Sequence, residues 1–258
     1  MSRAAQTAVL FLLGAVLLHT GAGDTSLRYV KEGLRPLLLA SGAVLIATAG
    51  ATAWYAREGS RAARAPGHGA PGDYGAPDHG AAQTAGHGTA HPAPRVSWLL
   101  LLPVLSLVLV APPALGSYSA LRTGTALQRP PAFAPLPPGD PVRLGLADYA
   151  ARAVYDDGRS LDGRRVRVTG FVAVGRDGTP YLVRMTLNCC AADAQPVKVA
   201  LTGRVPPVLD PDGWLEVTGT ATGRRAADPV NGRPVPYLEV DRARPVPAPR
   251  DPYDDGTR

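Results

Sequence analysis

Residues that carry nucleophilic or metal-binding chemistry are scarce in this chain. Its 258 residues include two cysteines, two methionines and five histidines. The cysteines are adjacent, in the stretch NCCAADA at residues 188–194, and no histidine follows His91. A thiol nucleophile needs a neighbouring base, most often histidine, and none lies near Cys189 and Cys190 in the sequence. This composition favours a role other than that of an enzyme.

Aromatic residues are also few, at 6% of the chain, and the formal net charge of +6 is spread thinly. From Ser117 onward arginines are mixed with aspartates, which indicates a solvated surface more than a phosphate-binding stripe. The aromatic residues Tyr181, Trp214 and Tyr237 are expected to be packed or to lie at strand edges, so they offer no obvious surface for stacking bases. We expect no nucleic-acid partner.

Three apolar segments dominate the first half of the chain. They cover about residues 4–20, 36–55 and 96–115, and none of them contains a charged residue. Such segments are typical of membrane-spanning helices. The first could also be a secretory signal peptide, but the two that follow argue for retention. Residues 1–116 are therefore predicted to form a multi-pass region of the cell membrane, in contact with the lipid bilayer.

Basic residues beside these segments predict the orientation of the chain. Five would lie on one side of the membrane and four on the other, a small excess that favours a cytoplasmic N-terminus and an extracytoplasmic C-terminal region. The two groups are Arg3, Arg57, Arg61, Arg64 and Arg95, against Arg28, Lys31, Arg35 and Arg122. The cysteine pair would then lie in a compartment where thiols do not stay reduced for long.

Two segments of low complexity separate the predicted structured parts. Residues 65–94 are rich in Gly, Pro and Ala and cannot bury a core. Loose binding of a metal ion by the histidines of this linker and a plain solvated linker both remain open. Residues 117–143 include PPAFAPLPPGDP and are predicted to be an extended tether that holds the next domain away from the lipid. The linker histidines are His68, His79, His87 and His91.

Residues 144–258 are predicted to form a mostly β domain. The spacing of apolar residues in RLGLADYAARAVYDD indicates one amphipathic helix. Five segments of period-two alternation follow it, separated by turn signals such as Arg176-Asp177-Gly178 and Asn231-Gly232. We expect an OB-like five-stranded barrel with one flanking helix, and a small β-sandwich is the alternative. The segments are RRVRVTGFVAV, PYLVRMTL, PVKVALTG, GWLEVTGTAT and VPYLEVDRA.

The cysteine pair falls in the predicted loop between the second and third strands, and several functions are open to it. Thiolates suit Zn and Cu(I), and Asp193 could add an oxygen ligand or accept a hydrogen bond near the site. Two thiolates and one carboxylate leave the site short of four ligands, which fits metal transfer better than structural zinc. A strained vicinal disulfide would suit a redox protein or sensor. A purely structural role also remains open.

The order of these features resembles that of the YcgQ-like family of bacterial membrane proteins. The similarity rests on YVKEGLRPLLLASGAVL at 29–45, LLLLPVLSLVLVAPPALGS at 99–117, NCCAADAQPV at 188–197 and DPYDDG near the end. The resemblance implies association with a YcgR-like permease, a polytopic partner for a metal or another small solute. We therefore expect an accessory subunit of a permease that captures or presents a thiophilic ion through Cys189, Cys190 and Asp193. A thiol–disulfide protein and a purely structural permease partner are the alternatives.

Overall fold

A computed structural model describes residues 3–62 and 114–253 of the chain. The described residues fall into two compact units. The first lies within Met1–His19 and Leu37–Pro112, and the second lies within Thr20–Pro36 and Pro113–Arg258. The predicted linker 65–94 with its four histidines, and all but the last two residues of the predicted span 96–115, lie outside the described residues.

Two long helices form the described part of the first unit and continue into the second. Helix α1 covers Arg3–Ala22 and helix α2 covers Arg35–Ala62. Their runs of Leu, Val and Ala favour helix formation. Pro36 is tolerated in the first turn of α2, because the N–H groups of that turn have no partner within the helix and the missing N–H of proline therefore costs no hydrogen bond. The stretches Ala5–Ala22 and Glu32–Glu58 are long and apolar enough to cross a membrane, by length and composition. These helices correspond to the first two predicted spans.

Small residues let α1 and α2 approach each other closely. A Cβ added at Gly14 would lie 2.7 Å from Cγ1 of Ile46, and one added at Gly42 would lie 3.0 Å from the side chain of Leu18. Close approach at small residues is the usual way in which helices pack in a membrane, where water provides no hydrophobic driving force.

The described residues of the second unit form two short α-helices and six strands, besides short 3-10 turns. Strands β2 to β6 agree with the five segments of alternating residues, and α4 agrees with the amphipathic helix. The elements are α3 (Ser117–Arg122), β1 (Val142–Arg143), α4 (Leu146–Tyr155), β2 (Arg165–Val174), β3 (Pro180–Thr186), β4 (Gln195–Gly203), β5 (Trp214–Ala227) and β6 (Pro234–Pro245).

The five long strands close into a barrel. The sheet order is β1-β2-β3-β4-β6-β5, and a further pairing of β2 with β5 joins the two ends. Strands β4 and β6 run parallel, as do β1 and β2, and the other pairs are antiparallel. One closed sheet, and not the two stacked sheets of a sandwich, is therefore the architecture of this domain.

The flanking helix α4 contributes to the barrel core. It contacts all five long strands, and its side chains Leu146, Tyr149 and Ala150 are fully buried against alternating residues of the barrel. The buried hydroxyl of Tyr149 donates a hydrogen bond to the carbonyl oxygen of Tyr237 at 2.8 Å. Asp148 forms an ion pair with Arg152 on the same helix.

Strand β5 runs five residues past the predicted segment because an irregular register lets it continue beside β6. The register shifts between Thr218 and Gly219, and again between Ala221 and Arg225. A Cβ at Gly219 would lie 2.0 Å from the carbonyl oxygen of Glu239, so this close approach of two strands requires glycine.

The segment before the barrel packs on it and is not a free tether. Ala120, Thr125 and Leu127 are buried. The N–H of Ala126 donates a hydrogen bond to the carbonyl oxygen of Pro196 at 2.9 Å. Further along, Phe133 packs against the barrel core. The proline-rich composition predicts an extended chain, but it carries no information about the apolar side chains that attach this segment to the barrel.

A buried ion pair fixes this segment to β4. Lys198 and Asp228 have almost no exposed side-chain surface, and Nζ of Lys198 lies 2.8 Å from Oδ2 of Asp228. The same ammonium donates to the carbonyl oxygen of Thr123, and the N–H of Thr125 donates to Asp228. Burial acts to raise the pKa of Asp228, but the hydrogen bonds from Lys198, Val230 and Thr125 hold it below its usual range.

Replacement of Lys198 by methionine should destabilise the protein strongly, because the Asp228 carboxylate would stay buried without its partner. We expect a loss of about 3–5 kcal/mol in the free energy of unfolding at neutral pH. Thermal melting of the full chain in detergent checks this. Arg165→Ala, which breaks the exposed pair with Asp140, is the matched control and should leave the melting temperature nearly unchanged.

The same pair should make stability fall in acid. Because the pKa of Asp228 is lowered in the folded protein, the contribution of this carboxylate to stability is fully present above the ordinary aspartate pKa of about 3.9 and is lost as pH falls below that value.

Equal melting temperatures of the Lys198→Met and Arg165→Ala variants at pH 7 would contradict the stabilising role assigned to the buried pair.

Candidate functional site

The cysteines lie in the loop between β3 and β4, as the sequence predicts. The loop ends in a short 3-10 turn, Ala191–Asp193, and the carboxylate of Asp193 organises the residues before it. One oxygen accepts the N–H of Asn188 at 3.1 Å, and the other accepts the N–H of Cys189 at 2.8 Å. Asp193 favours such a conformation because its short side chain can hydrogen-bond to nearby main-chain groups.

The thiol groups of the two adjacent cysteines lie close together in this loop. Sγ of Cys189 lies 3.6 Å from Sγ of Cys190, and both cysteines are free thiols. These two sulfur atoms and a carboxylate oxygen of Asp193 all lie within 4.8 Å of one another. Cys189 is exposed, whereas Cys190 and Asp193 are half-buried. Thiolate sulfur and carboxylate oxygen are both ligand types that zinc accepts in proteins.

The carboxylate of Asp193 keeps Cys189 protonated. Its hydrogen bond with the thiol, together with the neighbouring thiol of Cys190, raises the pKa of Cys189 to about 11. The same bond with Cys189 and the main-chain N–H groups lower the pKa of Asp193. At neutral pH the site therefore holds a thiol beside a carboxylate, and an ion that binds to the sulfur must displace a proton.

The loop that joins α1 to α2 pairs with the cysteine loop. Val30 and Cys190 form an antiparallel β-bridge. The N–H of Lys31 donates to the carbonyl oxygen of Cys189 at 3.1 Å, and the N–H of Ala191 donates to the carbonyl oxygen of Tyr29 at 2.7 Å. The segment Thr20–Pro36 belongs to the same compact unit as the barrel, so this pairing is internal to one unit.

The C-terminal segment supports the same region through Tyr253. Tyr253 is buried, and it forms a parallel bridge with Met185 at the end of β3. Its hydroxyl donates to the carbonyl oxygen of Arg28 at 2.7 Å and accepts a longer bond of 3.5 Å from the N–H of Leu115. Tyr253 therefore connects the α1–α2 loop, the start of the second described range and the base of the cysteine loop.

The sequence predicted no part in the site for Tyr253 or for residues 29–31, of which Lys31 counted only as a charge beside a predicted span. The one signal was the quoted similarity of DPYDDG and of the stretch beginning YVKEG, which contain these residues. Cys189, Cys190 and Asp193, in contrast, are brought together as the sequence predicts. The other candidate ligands, His68, His79, His87 and His91, lie outside the described residues.

The fold and the loop together define a small closed β-barrel domain. It carries two adjacent thiols, one exposed and one half-buried, on a loop that pairs with the α1–α2 loop. Residues 147–254 match the DUF1980 C-terminal domain. The match begins in α4 and includes the barrel, the cysteine loop and Tyr253. No curated protein and no solved structure matches the chain.

Removal of the Asp193 carboxylate should make Cys189 more reactive. In a Cys190→Ser background, Asp193→Asn removes the negative charge that raises the pKa of Cys189, so more thiolate is present at pH 8. We expect alkylation of Cys189 by iodoacetamide to be faster by on the order of ten-fold, measured by mass spectrometry. An equal rate in the two proteins would contradict the assigned contact, and Asp156→Asn is a control at a distant carboxylate.

Proposed function

We propose that this chain is a membrane-anchored accessory subunit of a YcgR-like permease, and that it captures or presents a thiophilic metal ion such as Zn or Cu. The observation that carries the ion-binding part is the convergence of Cys189, Cys190 and Asp193, whose ligand atoms lie within 4.8 Å of one another on an accessible loop. The permease part rests on the family resemblance of the sequence.

The chemistry of the three groups supports transient binding. Thiolate sulfur prefers soft or borderline ions, and a structural zinc site normally has four protein ligands. Both oxygens of Asp193 already accept main-chain N–H groups, so this carboxylate has limited capacity left for a metal ion. A site with two sulfurs and a partly occupied carboxylate would bind an ion while leaving room for a ligand from a partner, as a transfer site requires.

The barrel supports a binding role for this loop. In the order of the five long strands, the third pairs in parallel with the fifth, and the fourth closes against the first. We interpret this arrangement as an OB-like barrel, a fold in which loops between strands commonly bind ligands. The cysteine loop occupies such a position, between the second and third barrel strands, and the rigid sheet fixes both of its ends.

The pairing of the α1–α2 loop with the cysteine loop supports a three-span topology. Both loops must lie on the same side of a membrane to form hydrogen bonds. If α2 crosses the membrane once, the chain must cross again before Leu115 to return to that side. A crossing by the predicted span at 96–115 would satisfy this requirement. With the orientation favoured by the basic residues, the barrel and its thiols would be extracytoplasmic.

Purified full-length protein in detergent should bind one equivalent of Zn(II) or Cu(I) under reducing conditions. The double variant Cys189→Ser/Cys190→Ser should bind it at least about a hundred-fold more weakly, because the sulfur ligands are lost. Competition with a chromophoric chelator measures both affinities. Failure of the wild-type protein to bind either ion, or equal binding by the double variant, would contradict the proposal.

The histidines of the linker require their own control. A variant with His68, His79, His87 and His91 all replaced by alanine should retain the thiol-dependent binding. Measurement of transport by the partner permease then distinguishes ion capture from a purely structural role. If the chain captures the ion, the double serine variant should reduce transport while the assembly stays intact. If its role is purely structural, the double serine variant should support full transport.

A further inference from the structure

The main chain of the cysteine pair is held in place by hydrogen bonds on several sides. The N–H of Cys189 is bonded to Asp193, and the carbonyl oxygen of Cys190 accepts the N–H of Asp193 at 3.0 Å. The carbonyl oxygen of Cys189 accepts the N–H of Lys31 from the α1–α2 loop at 3.1 Å. That carbonyl belongs to the peptide group between the two cysteines.

This peptide group is the one that must move if the two thiols are oxidised together. A disulfide brings its sulfur atoms to about 2.05 Å, whereas the two sulfur atoms here lie 3.6 Å apart. A disulfide between adjacent residues closes an eight-membered ring that contains the intervening peptide. Closing the ring therefore reorients the carbonyl group of Cys189, which is the acceptor for Lys31.

We propose that docking of the α1–α2 loop onto the cysteine loop keeps Cys189 and Cys190 as a dithiol, and that formation of their disulfide releases the docked loop. The residues 29–31 are thus positioning residues for the thiol pair. By linkage the effect is reciprocal, since a contact that favours the dithiol is itself weakened when the disulfide forms. The proposal goes beyond ion capture and does not depend on which ion the thiols bind.

The coupling gives the thiol pair a route to the membrane helices. Residues 29–31 lie between the end of α1 and the start of α2, so release of this loop frees the connection between the two helices. In an oxidising compartment the same docking preserves the reduced sulfurs. Ion binding by the thiols and formation of their disulfide are then two states of one site. The dithiol, which can bind an ion, is the docked state, and the disulfide is the released state.

The redox step is an ordinary thiol–disulfide exchange with a small-molecule disulfide. A thiolate of the pair attacks the oxidised reagent, and a mixed disulfide forms as one reagent thiol leaves. The second cysteine then attacks the mixed disulfide and releases the reduced reagent. The protein loses two protons and two electrons, and the reagent gains them as its two thiols.

Two proline substitutions remove the docking bonds one at a time, because proline has no N–H and its ring occupies the place of the donor hydrogen. Lys31 has φ of −58°, so Lys31→Pro keeps its conformation and deletes the N–H that bonds to Cys189. Ala191→Pro deletes the bond to Tyr29, and the extended conformation of Cys190 before it suits a residue that precedes proline. Lys31→Ala and Ala191→Ser retain the N–H and are the matched controls.

Full-length proteins in detergent are equilibrated with glutathione buffers of graded thiol-to-disulfide ratio, and the intramolecular disulfide is counted by mass after alkylation. We expect each proline variant to shift the equilibrium constant about five-fold toward the disulfide, equivalent to about 1 kcal/mol for one peptide hydrogen bond. The matched controls should follow the wild-type curve. Proline and control variants with the same curve, or a pair that stays reduced in every variant at full oxidation, would overturn the proposal.

Hydrogen exchange provides the second readout and guards against misfolding of a variant. Oxidation of the wild-type pair should speed exchange of the amides of Lys31 and Ala191. The amide of Ala126, which bonds to Pro196 elsewhere on the barrel, should remain protected in all proteins. Unchanged exchange at Lys31 and Ala191 after complete oxidation would also overturn the proposal. Because the exchange rates are measured without a metal ion, this test does not depend on whether the protein binds one.

Discussion

The main-chain pairing between residues 29–31 and 189–191 is the constraint on which the site depends. It joins two segments that are far apart in the sequence through a β-bridge and two hydrogen bonds. Main-chain polar groups that leave solvent require partners, so each loop satisfies groups of the other. The pairing holds the peptide between the two cysteines, and the α1–α2 loop belongs to the same compact unit as the barrel.

The closed barrel makes that constraint effective. Strands β3 and β4 are paired from Tyr181 and Ala200 to Thr186 and Gln195, so the cysteine loop starts and ends at fixed points. The buried ion pair of Lys198 and Asp228 attaches the preceding segment to β4, and Tyr253 attaches the C-terminal segment to the end of β3. The loop is short, and hydrogen bonds from its main chain to the Asp193 carboxylate hold the residues that carry the thiols.

The strands and α4 could be predicted because their apolar residues repeat with a local period that depends only on nearby residues. Val166 and Val168 alternate with polar neighbours, and the turn at Asn231-Gly232 separates two strands. The loop position of Cys189 and Cys190 follows from the same pattern. The contacts of Lys31 with Cys189 and of Tyr253 with Arg28 could not be predicted, because both acceptors are main-chain carbonyl groups, which every residue has. The burial of Lys198 was likewise invisible, since a lysine within an alternating strand indicates solvent until its partner Asp228 is known.

Disulfide trapping tests the pairing most directly. Partners in an antiparallel bridge have Cα atoms about 4.5–5.5 Å apart, within the range that a disulfide spans. In a chain with Cys189→Ser, the introduced thiol of Val30→Cys should therefore crosslink with Cys190 in intact cells, and the thiol of Leu34→Cys, in the same loop, should not. The account predicts a linked peptide pair in most molecules of the first variant and in few of the second. Absence of the link in the first variant, or equal linking in both, would contradict the docking of the α1–α2 loop and the topology that rests on it.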